Sequence, residues 1–266
     1  MLQTVTTREQ FLQLTEPSVT TYFAGMSPAD RAARRPHSHT LGAYVGNVLT
    51  GALACDIGTP LALAVAEAEA RLQRTGRLDA RFRLPHAMLL MSSELPWRVA
   101  RLDDAAEHGW PHTHGTVICL PSSMLNALNK RVPGGEGQVH TTQHRRLVEL
   151  LVHERIHVLQ RMDPEAARQT IRAWYGDRVR PVARRDAVAA QLAERLRSNP
   201  DIDAYVYHGY PAVMTFPSLR DAAEIGMSSA RLVTMTRGSG SEPTEQPHEH
   251  PYESMAYDFA RAAAIL

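Results

Sequence analysis

A chain of 266 residues with 44% hydrophobic content is long enough to bury a full core. Its 29 basic and 28 acidic side chains leave a formal charge of +1, which gives no basic field to recruit nucleic acid or an anionic membrane surface. Cys55 and Cys119 are too few for a disulfide framework or a cysteine-based zinc site, and no apolar run reaches the ~18 residues of a membrane span. A reduced, cytoplasmic setting is the expectation, because Met1-Leu2-Gln3-Thr4-Val5 lacks the basic and apolar regions of a signal peptide.

In chain order, Thr7 is placed to cap a short helix through Leu14, and Ser27-Pro28 opens another towards Arg35. Leu41 to Cys55 is apolar but carries Gly42, Gly46 and Gly51; helix is favoured there over an irregular core segment. Thr59-Pro60 begins an alanine-rich helix through Arg74 that Gly76 stops. Between Arg81 and Pro121 the apolar runs Ala87 to Met91 and Thr116 to Leu120, bounded by Pro and Gly, read as strands of a small sheet. Pro133-Gly134-Gly135-Glu136-Gly137 is a loop, followed by a long helix from Thr142 to Met162 with neither Gly nor Pro. Asp163-Pro164-Glu165 reads as the cap and first turn of a helix towards Tyr175, and Asp186 as the cap of one from Ala187 to Arg197. Asn199 to Leu219 predicts loops with a hairpin, Gly238 to Pro247 a polar loop, and Tyr252 to Leu266 a closing helix. The whole, residues 1–266, reads as one mainly helical α+β domain with a helical N-terminal part and a small sheet.

His153-Glu154-Arg155-Ile156-His157 is H-E-x-x-H inside that long helix. Imidazoles four residues apart on a helix emerge one turn from each other on the same side, close enough to grip one metal ion. The intervening Glu154 then lies beside the metal, where a carboxylate takes a proton from bound water. Leu147, Leu150, Leu151, Ile156, Val158 and Leu159 supply an apolar stripe, so the histidines enter the core. The plainer reading, two core histidines satisfied by hydrogen bonds beside an ordinary helix acid, leaves two buried imidazoles and a carboxylate needing compensation that a metal supplies directly.

A catalytic zinc needs a third protein ligand. Asp163 stands six residues after His157, where a metzincin places its last ligand, but the turning glycine is replaced by the helix former Gln160, and Asp163 reads better as a cap. In His250-Pro251-Tyr252-Glu253-Ser254-Met255-Ala256-Tyr257 the chain resembles the gluzincin branch of the zincin metallopeptidases, in which a second helix carries a glutamate ligand in an E-x-x-A context. The resemblance covers the motif helix and the last helix and implies a zincin-like fold with the sheet beside the motif helix, zinc as cofactor, and Glu253 as third ligand. His248, His250 and Glu224 remain alternatives to it. Glu67 also begins an E-x-x-A but lies upstream, against the family order, and Glu253 follows His157 by 96 positions, a longer insertion than in thermolysin-like enzymes.

Tyr257, one turn beyond Glu253, is read either as an oxyanion donor or as packing. His112 and His114 are taken as a surface turn in preference to the wall of a substrate cleft, His140 and His144 as capping or solvating the start of the motif helix, and Arg155 and Arg161 as solvent-facing charges. The leading functional expectation is a zinc hydrolase, a metallopeptidase or amidase, in which His153, His157 and Glu253 hold the metal and Glu154 is the general base; the partner is a peptide or amide-containing small molecule. Two histidines and a carboxylate also describe the facial triad of non-haem Fe(II) oxygenases, which makes Fe2+ the alternative cofactor. A third reading is a non-enzymatic binding protein that keeps a zincin fold.

Overall fold

The computed structural model describes residues 1–34, 39–51, 55–77, 83–128, 141–176, 180–183, 193–201, 205–208, 212–234 and 251–265. The chain is an α+β protein, mostly helical, with a small mixed sheet. No helix among the described residues is long and apolar enough to cross a membrane.

Strand β1 (Leu2–Thr4) leads into α1 (Arg8–Thr15), capped by the Thr7 hydroxyl, which accepts from the Gln10 amide. Helices α2 (Ser18–Ala24), α3 (Pro28–Ala33) and α4 (Leu41–Gly46) follow, with Ser27 and Thr40 capping α3 and α4. Among the described residues of the apolar stretch after Leu41, helix covers 41–46, and Val48 then bridges to Leu102. Helix α5 (Cys55–Thr75) begins earlier than Thr59-Pro60 suggests, with Pro60 inside it.

Helix α6 (His86–Glu94) replaces the strand expected at Ala87 to Met91. That run is Ala, Met and Leu without a β-branched residue, and straight-chain apolar residues favour helix once a neighbouring surface buries them. Strand β2 (Trp97–Leu102), β3 (His112–His114) and β4 (Val117–Pro121) complete a sheet of order β1-β2-β4-β3, parallel except for the antiparallel edge strand β3. Alternation along the strands separates two cores. Trp97, Val99, Ile118 and Leu120 face the larger one, while Ala100, Leu102, Val117 and Cys119 face the smaller one built with α1, α2 and α4.

After α7 (Ser122–Ala127), α8 (Thr141–Met162) runs through the larger core, and every residue from 151 to 160 is buried. It packs on α5, on the edge strand β3, on α9 (Pro164–Tyr175) and on the last helix. Burial of a Leu, Ile or Val side chain contributes ~1.5–3 kcal/mol, so Leu151, Val152, Ile156, Val158 and Leu159 fix this helix firmly. Strands β5 (Arg180–Ala183) and β6 (Tyr205–His208) pair with each other, and β7 (Ala212–Thr215) pairs with β8 (Arg231–Thr234) across α10 (Leu219–Ile225). The region after Asn199 therefore contributes strands to two separate ladders and not a hairpin of its own. At the end of the helix expected after Asp186, Leu196 instead bridges Thr215 in extended backbone; residues 184–192 lie outside the described ones, as do the loops at 133–137 and 238–247. Helix α11 (Pro251–Ile265) closes the chain and packs along α8, with Ala256, Ala260 and Ala263 buried in their common core.

Candidate metal centre

Because α8 is continuous from Thr141 to Met162, its 3.6-residue period sets His153 and His157 one turn apart on the side that meets α11. Their rings lie 4.7 Å apart between centroids, and their Nε2 atoms face each other at 3.0 Å. Glu253, in the first turn of α11, brings Oε2 to 3.4 Å from His153 Nε2 and Oε1 to 3.5 Å from His157 Nε2. The ligand atoms of these three buried residues all lie within 4.8 Å of one another, and no other such His, Cys, Asp or Glu trio occurs among the described residues. Ligands about 2.0–2.1 Å from a tetrahedral zinc are separated by about 3.4 Å, so the spacing of these donors suits one ion between them. The donor chemistry fits as well, since two imidazoles and a carboxylate are ordinary zinc or iron ligands.

The surroundings orient the donors. Gln160, one turn on from His157, takes the imidazole Nδ1 with its Oε1 at 2.9 Å and donates from Nε2 to the Tyr252 carbonyl at 3.0 Å, joining α8 to α11. This hydrogen bond keeps a proton on Nδ1, so Nε2 is the nitrogen that ligates once it gives up its own proton to an incoming metal. Asn199 Nδ2 donates to Glu253 Oε1 at 2.7 Å. Tyr257 lays its ring 4.3 Å from that of His153 while remaining 41% exposed, so it forms a partly open wall of the site. Glu154 is buried, and among the described residues its Oε2 has no hydrogen-bond partner; neither has His153 Nδ1.

Beside the trio, the Asp201 carboxylate accepts from the backbone N–H of Thr113 at 2.5 Å and from its hydroxyl at 2.8 Å, on the sheet's edge strand. Arg161 donates to the Thr113 hydroxyl and to the carbonyls of Gly115 and Pro200, each at 3.0 Å. Burial pushes the Glu154 carboxyl well above the usual range, and the negative charges of Asp201 and Glu253 add to this against His157 and Arg161. Burial works to lower His157, but the carboxylates of Glu253, Asp201 and Glu154 together outweigh it and raise the imidazole to about 9. Burial opposes ionisation of Glu253 too, yet the two histidines hold its carboxyl well below the ordinary value. The site thus concentrates negative charge that protons neutralise in the absence of a cation.

The other sequence candidates fall elsewhere. Asp163 caps α9 by accepting from the Ala166 amide at 3.0 Å. Glu67 binds Arg71 and His144, and Glu224 pairs with Arg220 on the surface. His140, His248 and His250 lie outside the described residues. His112 and His114 are not a surface turn: both are buried in β3, where the sheet face opposite α8 packs them on Tyr44, and Tyr22 also covers His114. Arg155 and Arg161 are not solvent-facing either. Arg155 is fully buried and donates to the carbonyls of Ser92, Leu95 and Pro96. Asn199 and Asp201 had no signal in the sequence, lying in a stretch without periodicity far from either motif. No protein-family model, curated protein or solved structure matches the chain.

Proposed function

We propose that the chain is a zinc-dependent hydrolase with a zincin-like fold of the gluzincin type, acting on a peptide or amide bond. The observation that carries this reading is the convergence of His153 and His157 from α8 with Glu253 from α11, next to the buried carboxylate of Glu154, whose Oε2 has no partner among the described residues.

His153, His157 and Glu253 would hold the metal. Zinc bound there supplies Lewis acidity to a water and to the scissile carbonyl, and its charge favours the carboxylate form of Glu154. Glu154 accepts the proton of the attacking water and delivers it to the leaving amine. Gln160 keeps His157 in the ligating tautomer, and Tyr257 bounds the open side of the site.

Metal analysis of protein purified without chelators, paired with turnover of a mixed fluorogenic peptide pool, tests the assignment. About one zinc per chain is expected, retained in Glu154→Gln, with turnover lowered about 10²–10⁴-fold by that change. Full activity in Glu154→Gln removes the base assignment. Stoichiometric iron with oxygen or 2-oxo-acid dependence replaces the hydrolase with an oxygenase, and a folded protein that takes up neither metal leaves a binding role.

A further inference from the structure

We infer that Asn199 is a positioning residue for the metal site: its side-chain amide holds the Glu253 carboxylate in the orientation that ligates, and the long segment between the two ligand helices returns to the site to deliver it. The inference rests on the metal reading above and adds a residue to it.

The Asn199 amide is constrained at both ends. Its Oδ1 accepts from the Asp201 backbone N–H at 2.9 Å, which turns Nδ2 outward to donate to Glu253 Oε1 at 2.7 Å. The flip state follows from this network, because the opposite assignment sets an oxygen against a carboxylate. With Oε1 engaged, Oε2, which lies 3.4 Å from His153 Nε2, is the less encumbered oxygen for a metal.

The backbone that carries Asn199 is fastened along its length. Ser27 Oγ donates to the Leu196 carbonyl at 2.7 Å, the Arg197 amide donates to Met214 O, and the Ser198 amide donates to Asp30 Oδ2 at 2.9 Å. Buried Arg34 donates to the Ser198 carbonyl at 3.1 Å while pairing with Asp30 and Glu107. Beyond Asn199, Arg161 holds the Pro200 carbonyl and Thr113 holds Asp201. A segment held this way presents one amide to the ligand at a fixed place, as the partners of metal-bound carboxylates do.

Zinc affinity, measured by competition with a chromophoric chelator, tests this on the full chain as unsubstituted protein, Asn199→Ala, Asn199→Asp and Glu253→Gln, with thermal melting of each metal-free protein alongside. Asn199→Asp keeps the acceptor for the Asp201 amide and puts an anionic oxygen where the donor faced Glu253. Both Asn199 variants are expected to bind zinc about 10–100-fold more weakly than the unsubstituted protein. Should Asn199→Ala fail to fold, Asn199→Asp still decides. Unchanged affinity in Asn199→Asp, with Glu253→Gln abolishing binding, overturns the role of Asn199 and leaves the metal site standing. Zinc retained by Glu253→Gln, or refused by the unsubstituted protein, overturns both.

Discussion

Arg155 stands between the two motif histidines in sequence, yet its guanidinium points away from them to fasten the motif helix to the last turn of α6 and the loop that leads to β2. Its Nη2 donates to Ser92 O at 2.8 Å and Leu95 O at 2.6 Å, its Nη1 to Pro96 O at 3.2 Å, and the group lies 4.7 Å over the Trp97 ring. Burial lowers it to about 10, which still leaves it charged at neutral pH. Replacing Arg155 with Met strands three inward carbonyls, and a buried polar group left unsatisfied costs about 1–3 kcal/mol. Urea unfolding is expected to show that loss for Arg155→Met; an unchanged midpoint means that the loop carbonyls are hydrated in solution. The same position shows what the sequence could not disclose. H-E-x-x-H and the glutamate of α11 are readable because ligand spacing is a local property of a helix. The fate of Arg155 depended on whether α8 keeps a wet face, and residues 151 to 160 are buried all round. Asn199 and Thr113 reach the site across 54 and 88 residues from their partners, Glu253 and Asp201, and no periodicity announces such contacts.

At the level of elements, the β3–β4 hairpin turns through Gly115 and Thr116, and its first turn residue carries the constraint. Gly115 has φ +54, and a Cβ there would lie 2.6 Å from the Leu14 carbonyl oxygen and 3.1 Å from Thr15 Cα. Both the left-handed backbone and the closeness of α1 select glycine. Gly115→Ala is therefore expected to cost about 1–3 kcal/mol and to shift the edge strand, whose Thr113 holds Asp201 beside the site. Thermal melting and zinc affinity measured together check this, since a turn that relaxed freely would move neither. Strand β4 was legible from the apolar run before Pro121, and α1, α3 and α9 from their capping residues Thr7, Ser27 and Asp163. The strand expected at Ala87 to Met91 became α6 because a short apolar run has no period to read; the absence of β-branched residues was the better guide. Strand β2 alternates Trp97, Arg98 and Val99, then buries Ala100 beside Val99, which blurs its period of two.

Taken whole, the molecule holds its sheet between two cores, and the smaller one encloses histidines that folding keeps neutral. His112 Nδ1 donates to the Trp110 carbonyl at 2.8 Å, and Nε2, 2.5 Å from the Tyr44 hydroxyl, accepts from it. Burial pushes His112 down to about 4; Arg34 and Arg161 act in the same direction, and Asp201 opposes them. Its neighbours His114, Cys119 and Tyr44 are likewise held in their neutral forms by burial. In the unfolded chain His112 takes a proton near 6.5, so the unfolded state binds more protons at every pH between about 4 and 6.5. The stabilisation is complete above 6.5 and is lost as the pH falls through this window. For His112 alone the loss is on the order of 3 kcal/mol, because each tenfold drop in proton affinity corresponds to about 1.4 kcal/mol. Protonating Nε2 also removes the acceptor for Tyr44, which couples the titration to α4 packing. Urea unfolding at pH 7.5 and pH 4.5 in the presence of chelator is expected to show a steep acid loss, reduced by the amount of one histidine in His112→Gln. Chelator keeps metal release from contributing to either slope. Equal pH dependence in the two proteins would place water against His112 and dissolve the sealed smaller core that the fold implies.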